Sequence, residues 1–251
     1  MTTSARVCLL VPHYEHIGAV ADVIDGGLEA GLSVLVVDDG SANDTLQRLR
    51  DIVKTRAGVE LLELGRNGGK GTALRAGYRH AAEAGYTHTL EMDADGQHAS
   101  ASIPDFLAAI ASDPEALVLG APQFDDSAPW IRLWGRQLSV GLVWAACRSR
   151  AVRDPLCGFR GVPLARAVAL LAREHTGDRM NFDAEFAVRM VRDGASVINV
   201  PTPVHYPADG VSHFDMVGDN LRLTATYVRL LGELLLPGGG SPSTRDSGAS
   251  E

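Results

Sequence analysis

Along the first half of the chain, short apolar runs alternate with stretches whose apolar residues recur every three to four positions. "VCLLV" (Val7–Val11) reads as a buried strand. Ile17 to Ala30 carries helical spacing, and Gly31 suits its end. A second strand is predicted over Ser33–Asp39, followed by a helix from about Asn43 to Lys54. "VELLEL" (Val59–Leu64) is the third strand. The helix after it runs from about Gly69 to Ala84, with Ala73/Leu74, Gly77/Tyr78 and Ala81/Ala82 on one face and Gly85 as its stop. Thr87–Met92 reads as a fourth strand, Ile103–Ala111 as a helix and Ala116–Gly120 as a further strand. Largely apolar strands alternating with helices predict an α/β fold whose parallel sheet is covered on both faces.

The second half is less regular. Helices are predicted near Trp130–Cys147, Leu164–Glu174, Ala184–Asp193 and Asp215–Leu235, with one more strand at Ser196–Pro201. No internal repeat or linker divides the chain, so residues 1–236 are expected to form one domain. The Gly/Ser/Pro-rich tail Pro237–Glu251 is expected to be disordered.

Composition narrows the function. A formal net charge of −8 argues against a nucleic-acid partner, which usually meets a basic face. The three cysteines, Cys8, Cys147 and Cys157, make neither a zinc pattern nor a disulfide framework, which suits a reducing cytosol. The N-terminus has only a short apolar run and does not read as a signal peptide. No segment reaches the roughly 18 to 20 apolar residues that span a bilayer. The nearest are Pro129–Arg150 and Asn220–Pro237, both broken by charged residues. Each suits either a helix packed on the core or one lying on a membrane surface.

Ligands of parallel α/β sheets bind beyond the carboxyl ends of the strands. Here those ends carry Pro12, Tyr14 and Glu15, then Asp38 and Asp39, then Arg66 with Gly68, Gly69 and Lys70, and lastly Asp93 and Asp95. Two carboxylates two residues apart on extended backbone point the same way and repel each other, by roughly 4 kcal/mol at ~4 Å and an effective dielectric of ~20. They suit a hard divalent cation, general acid–base work or a helix cap, and Gln97 and His98 could add a ligand. The run Gly68-Gly69-Lys70-Gly71 opens a helix and favours an anion, or is only a glycine-rich helix start. It is neither a P-loop nor a dinucleotide fingerprint. An acidic pair beside a basic glycine loop is what a nucleoside diphosphate needs: a cation to bridge its phosphates and a lysine to support them.

"VPHYEH", "VVDDGSANDT", "GRNGGKGTALRAG" and "MDADGQH" resemble, in order and spacing, the N-terminal half of family 2 glycosyltransferases, closest to the dolichyl- or polyprenyl-phosphate mannose and glucose synthases. "DPLCGFRG" (Asp154–Gly161) is similar to a later family element, with Cys157 where Ser or Thr is usual. "NFDAEFAVRM" (Asn181–Met190) and "YPADGVSHF" (Tyr206–Phe214) are similar to two more. The resemblance covers about residues 5 to 235. It implies the GT-A fold of nucleotide-diphospho-sugar transferases, with a mainly parallel central sheet flanked by helices. It also implies an inverting transfer from a GDP- or UDP-sugar to a lipid-linked or small-molecule acceptor.

By the same resemblance Pro12, Tyr14 and Asp39 would line the nucleoside pocket, with Gly69 and Lys70 near the donor. Asp93 and Asp95 would hold Mg2+ or Mn2+, with Gln97 a third ligand. Arg160 would contact phosphate, His213 the diphosphate, and Asp183 or Glu185 would be the general base. The bland alternatives are an N-cap for Asp183, a salt bridge for Arg160 and a loop position for His213. Relatives in the polyprenyl-phosphate branch often carry C-terminal membrane helices, whereas this chain ends in a polar tail. A peripheral membrane contact through the two amphipathic segments stays open. A sugar-1-phosphate nucleotidyltransferase would share the acidic pair and lysine but usually begins with a glycine-rich loop absent here. A non-catalytic nucleotide-sugar binder is the remaining alternative.

Overall fold

The computed structural model describes residues 5–124, 130–204 and 218–235. Strands β1 (Val7–His13), β2 (Ser33–Asp38), β3 (Val59–Glu63) and β4 (His88–Glu91) alternate with helices α1 (Ile17–Glu29), α2 (Asn43–Lys54) and α3 (Lys70–Glu83). Helix α4 (Ile103–Ser112), β5 (Leu117–Phe124) and α5 (Trp130–Cys147) follow. The chain then runs through β6 (Arg160–Pro163), α6 (Leu164–Arg173), α7 (Phe182–Arg192), β7 (Val197–Val204) and α8 (Gly218–Glu233). All seven strands form one sheet in the order β3-β2-β1-β4-β6-β5-β7.

The period-2 pleat of apolar strands builds two cores from one sheet. Cys8, Leu10, Leu35 and Val37 face Ala73, Leu74 and Tyr78 of α3 and the inner faces of α6 and α7. Leu9, Val11, Val34 and Val36 face Val20 and Ile24 of α1, Leu49 of α2 and Phe106 of α4. Helix α3 comes close because Gly77 rests on Leu10 and Val37, where a Cβ would fall 2.5 Å from Leu10 Cδ1. Helices α5 and α8 pack on α7 and on each other.

One strand departs from the sequence reading. The segment Arg160–Pro163 was not expected in the sheet, yet it lies between β4 and β5 and runs antiparallel to both. Four residues opening on a charge and closing on proline carry no periodic signal. Gly161 allows the insertion, since a Cβ there would meet Ile110 and Val118 at about 3 Å. The strand places Arg160 opposite Glu91, directly beneath the acidic turn that follows β4.

The carboxyl ends of β1 to β4 open on one edge, and buried polar contacts fix their loops. Asp38 accepts hydrogen bonds from His13 Nδ1 at 2.9 Å, from the Ser41 hydroxyl at 2.5 Å and from the Ser41 and Gly40 amides. Glu15, in a left-handed conformation (φ 54°), accepts from the Ala42 amide and the Thr45 hydroxyl. That ties the turn after β1 to the start of α2 and leaves Tyr14 at the edge. Burial pushes the Asp38 pKa up, but the bonds from His13 and Ser41 outweigh it and hold the carboxyl below its ordinary value. A group depressed in this way stabilises the fold above its unfolded-state pKa and loses that contribution as pH falls through its folded-state pKa. Asp38→Asn is therefore expected to cost roughly 1–3 kcal/mol at pH 7 and progressively less in acid. Denaturant titrations of both proteins from pH 7 to pH 3 check this, and a deficit that stays constant over the range contradicts it.

Candidate active site

A cavity of about 450 Å³ lies at this edge. Pro12, His13, Tyr14 and His16 line it from the end of β1, Asp39 from the turn after β2, and Asn67, Gly69, Lys70 and Ala73 from the start of α3. Asp93, Ala94 and Asp95 line it after β4. Arg179 and Met180 come from the loop before α7, and Asp219 and Arg222 from α8.

The glycine loop is held by Asp39, whose two carboxylate oxygens accept the amides of Gly68 at 2.9 Å and Gly69 at 2.6 Å. Burial raises the Asp39 pKa, and the two amides oppose that rise. Gly69 has a φ of 98°, which glycine adopts without strain, and its Cα packs on the Asp178 carbonyl, where a Cβ would fall at 2.5 Å. The loop, and with it Lys70 at the first position of α3, is thereby locked against the segment that carries Arg179.

Lys70 is the centre of charge. Its ammonium lies 2.7 Å from Asp93 Oδ1 and 2.8 Å from Asp183 Oδ2. Burial alone would lower the lysine pKa, but Asp183 and Asp93 overcome it and raise it. Burial likewise opposes ionisation of Asp93, and Lys70 outweighs that and holds its carboxyl below the ordinary value. Asp95 has no such cation. Burial and the neighbouring Asp93 charge push its pKa up to about 6, although the Gln97 amide donates to its Oδ1 at 3.0 Å. The cavity wall thus holds two adjacent carboxylates, one of them short of positive charge.

The sequence element around Cys157 forms the floor. Arg160 is fully buried. Its Nε donates to the Cys157 carbonyl at 2.7 Å, Nη2 to the Pro155 carbonyl at 2.7 Å and Nη1 to the Asp183 carbonyl at 2.9 Å. Gly158 lets the carboxylate of Asp93 lie directly on the backbone, since a Cβ there would fall 1.9 Å from Asp93 Oδ2. Behind this floor Glu91, on β4, accepts a short hydrogen bond from Tyr78, and burial pushes its pKa up to about 7.

Of the residues singled out in the sequence, Pro12, Tyr14, Asp39, Gly69, Lys70, Asp93 and Asp95 meet at the cavity. Asp183 lies behind Lys70 in the first turn of α7, 5% exposed, and Asn181 rather than Asp183 holds the N-cap position. Gln97 meets Asp95 through its backbone. Two expectations are corrected. Arg160 does not face the cavity; its three nitrogens are spent on carbonyls beneath it. Glu185 is fully buried away from the cavity, between Arg189 at 2.8 Å and Arg229 at 2.6 Å, and accepts the Gly177 amide at 3.0 Å. A carboxylate so enclosed reaches no acceptor; it ties α7 to α8 and to the Arg179 loop. His213 and the Tyr206–Phe214 element lie outside the described residues, as does the tail Pro237–Glu251.

The sequence reading missed Arg179, Asn67, Asp219 and Arg222. Arg179 follows Gly177 and Asp178 just before a helix, which was the only local signal. Asp219 and Arg222 form an i,i+3 pair on α8, and nothing in a helical repeat says that its first turn reaches the sheet edge. His13 also lines the cavity; its Nδ1 is anchored on Asp38 and its buried Nε2 has no hydrogen-bond partner.

Among the described residues, no cluster of three or more His, Cys, Asp or Glu side chains is placed to hold a metal ion. The acidic pair still fits a hard cation that completes its shell with ligand oxygens. Both donors are carboxylates on the cavity wall, and among the described residues no ion pair reaches Asp95.

Comparison with known proteins identifies the family. Residues 8–155 match the sequence model of glycosyl transferase family 2, well over half of the chain, and the protein belongs to that family. It is similar to an undecaprenyl-phosphate mannosyltransferase of Micrococcus luteus, 28% identical over 214 residues that cover 78% of this chain and 82% of the relative. A polyprenol monophosphomannose synthase of Mycolicibacterium smegmatis is 27% identical over 197 residues, 75% of this chain and 72% of that one. Glycosyltransferase AglJ of Haloferax volcanii is 26% identical over 84% of this chain, which spans 66% of that relative's length. The protein is therefore a glycosyltransferase whose curated relatives include polyprenyl-phosphate mannosyltransferases. Its fold matches glucosyl-3-phosphoglycerate synthase from Mycobacterium tuberculosis, solved with Mn2+, UDP and phosphoglyceric acid. The TM-score is 0.68 over 94% of this chain and 82% of that one, at 17% identity, so this likeness speaks to the GT-A fold alone.

The buried setting of Arg160 has a measurable consequence. Arg160→Gln is expected to destabilise the protein by about 3–5 kcal/mol, because it leaves Asp183 and three carbonyls short of their partner. Denaturant midpoints check this. A variant of wild-type stability with weakened nucleotide binding would instead put the guanidinium on the ligand.

Proposed function

We propose that this protein is an inverting, metal-dependent glycosyltransferase that moves a sugar from a nucleoside-diphosphate sugar to an acceptor phosphate, most plainly that of a lipid. The observation that carries the reading is the meeting of Asp93, Asp95 and Lys70 on one cavity wall, beside a glycine loop that opens a helix. Asp93 and Asp95 would hold Mg2+ or Mn2+, which supplies positive charge to the leaving diphosphate. Tyr14, exposed at the rim, is placed to lie against a base. The first turn of α3, which opens at Lys70, would face the phosphates.

An acceptor phosphate is already anionic and attacks the anomeric carbon with little help from a base. That suits a site in which Asp183 is bound by Lys70 rather than free to take a proton. It also gives a task to Arg179 and Arg222, cations on the cavity wall. The names of the mannosyltransferase relatives point the same way. Helix α8 adds an independent hint of a lipid. Leu221 and Val228, seven residues apart, are 66% and 67% exposed on the helix that carries Arg222 to the cavity, and Leu235, just past its end, is 87% exposed. No helix among the described residues is long and apolar enough to cross a membrane, and contact through the exposed side of α8 would be peripheral.

UDP- and GDP-sugars are to be assayed with polyprenyl phosphate and with hydroxyl acceptors, with and without Mn2+. Release of nucleoside diphosphate is expected only with metal, and Asp95→Asn is expected to lose at least about 100-fold in kcat/KM. Turnover that survives a chelator sinks the metal-dependent reading. Asp183→Asn separates the acceptors. Transfer to a phosphate is expected to stay within about tenfold of wild type, whereas transfer to a hydroxyl needs a base worth about 100-fold or more. A large loss with the phosphate acceptor makes Asp183 a general participant and contradicts this account.

A further inference from the structure

We propose that Lys70 is a resident counter-cation: it holds Asp93 closed to a divalent ion until a donor diphosphate draws the ammonium away, so that metal and donor bind as a coupled pair. The inference rests on the metal-dependent reading above and adds an order of events to it.

Three observations and one electrostatic repulsion carry it. Asp93 Oδ1 is engaged by the Lys70 ammonium at 2.7 Å, and Oδ2 lies against the backbone of Gly158. One oxygen of the central carboxylate is thus occupied by the ammonium in this state. Lys70 is only 11% exposed in its side chain and is gripped on its other side by Asp183 at 2.8 Å, so solvent alone does not compete it away. A divalent ion between Asp93 and Asp95 would sit within a few ångströms of this ammonium and be repelled by it. Finally, releasing Lys70 leaves Asp183 beside a second cation, since Arg160 Nη1 lies 3.6 Å from Asp183 Oδ1 and donates to the Asp183 carbonyl.

A diphosphate resolves the conflict. It offers Lys70, at the first turn of α3, a stronger anion within reach of its flexible four-carbon stem. As the ammonium turns to the phosphates, Asp93 is released to the metal, and the metal in turn neutralises the same phosphates. By linkage, each ligand then tightens the other by the same factor. Metal alone and nucleotide alone should both bind weakly to the wild-type chain.

The test measures Mn2+ binding to the full chain by titration calorimetry or by the loss of the free-ion EPR signal. Wild type, Lys70→Gln and Lys70→Arg are compared with no nucleotide, with UDP and with GDP. Lys70→Gln is expected to bind Mn2+ alone on the order of tenfold more tightly than wild type, with a smaller gain on adding nucleotide. Lys70→Arg, which keeps the charge, should bind Mn2+ alone as weakly as wild type. Lys70→Met carries the same expectation as the glutamine variant should that one not fold. The inference is overturned if neither uncharged variant binds Mn2+ alone more tightly, while nucleotide-loaded wild type still binds it. Failure of Mn2+ to bind any sample, nucleotide included, overturns the metal-dependent reading as well.

Discussion

The Lys70 ammonium between Asp93 and Asp183 is the contact around which the cavity edge is arranged. Three carboxylates gathered at the end of one parallel strand and the start of one helix repel each other strongly in a partly dry site. They persist because cations are placed among them: Lys70 in front and Arg160 beneath. Each cation has its own support. Lys70 stands where Asp39 and the glycine loop put it, at the first residue of α3. Arg160 is placed by the short antiparallel strand wedged between β4 and β5. In the charge balance that results, Asp95 accepts the Gln97 amide and, among the described residues, has no ion pair of its own.

A second ionic cluster serves the first at a distance. Glu185 joins Arg189 of α7 to Arg229 of α8, while Glu233 takes up Arg189 and Arg192. Through the Gly177 amide the same carboxylate holds the loop that brings Arg179 to the cavity. Helix α8 is therefore two-sided. Its inner face is anchored by this cluster, its N-terminal part contributes Asp219 and Arg222 to the cavity, and its outer face carries exposed Leu221 and Val228. An acceptor with an anionic head and an apolar chain would meet both properties along one helix.

Much of this was legible in the order of residues. The strands from Val7 to Asp38 and the helix from Lys70 follow from apolar periodicity, because a parallel sheet buried on both faces leaves little choice of side chain. The loops after those strands announced their chemistry because they must share one edge. What stayed hidden came from contacts between distant segments. Arg160 reads like a phosphate ligand, but only the antiparallel pairing of Arg160–Pro163 shows it buried. Glu185 reads like a rival of Asp183, yet helical geometry turns it away from the cavity and into two arginines. Arg179 and Arg222 reach the site through a loop and a helix whose docking no local pattern encodes.

The most direct test of the central claim is a crystal of the protein grown with Mn2+ and a nucleoside diphosphate, with the metal located by its anomalous scattering. The account predicts one manganese peak between the carboxylates of Asp93 and Asp95, in contact with both phosphates, and the Lys70 ammonium on the diphosphate rather than on Asp93. A nucleotide bound in the cavity with no manganese at the acidic pair, or with Lys70 still bridging Asp93 and Asp183, would contradict it.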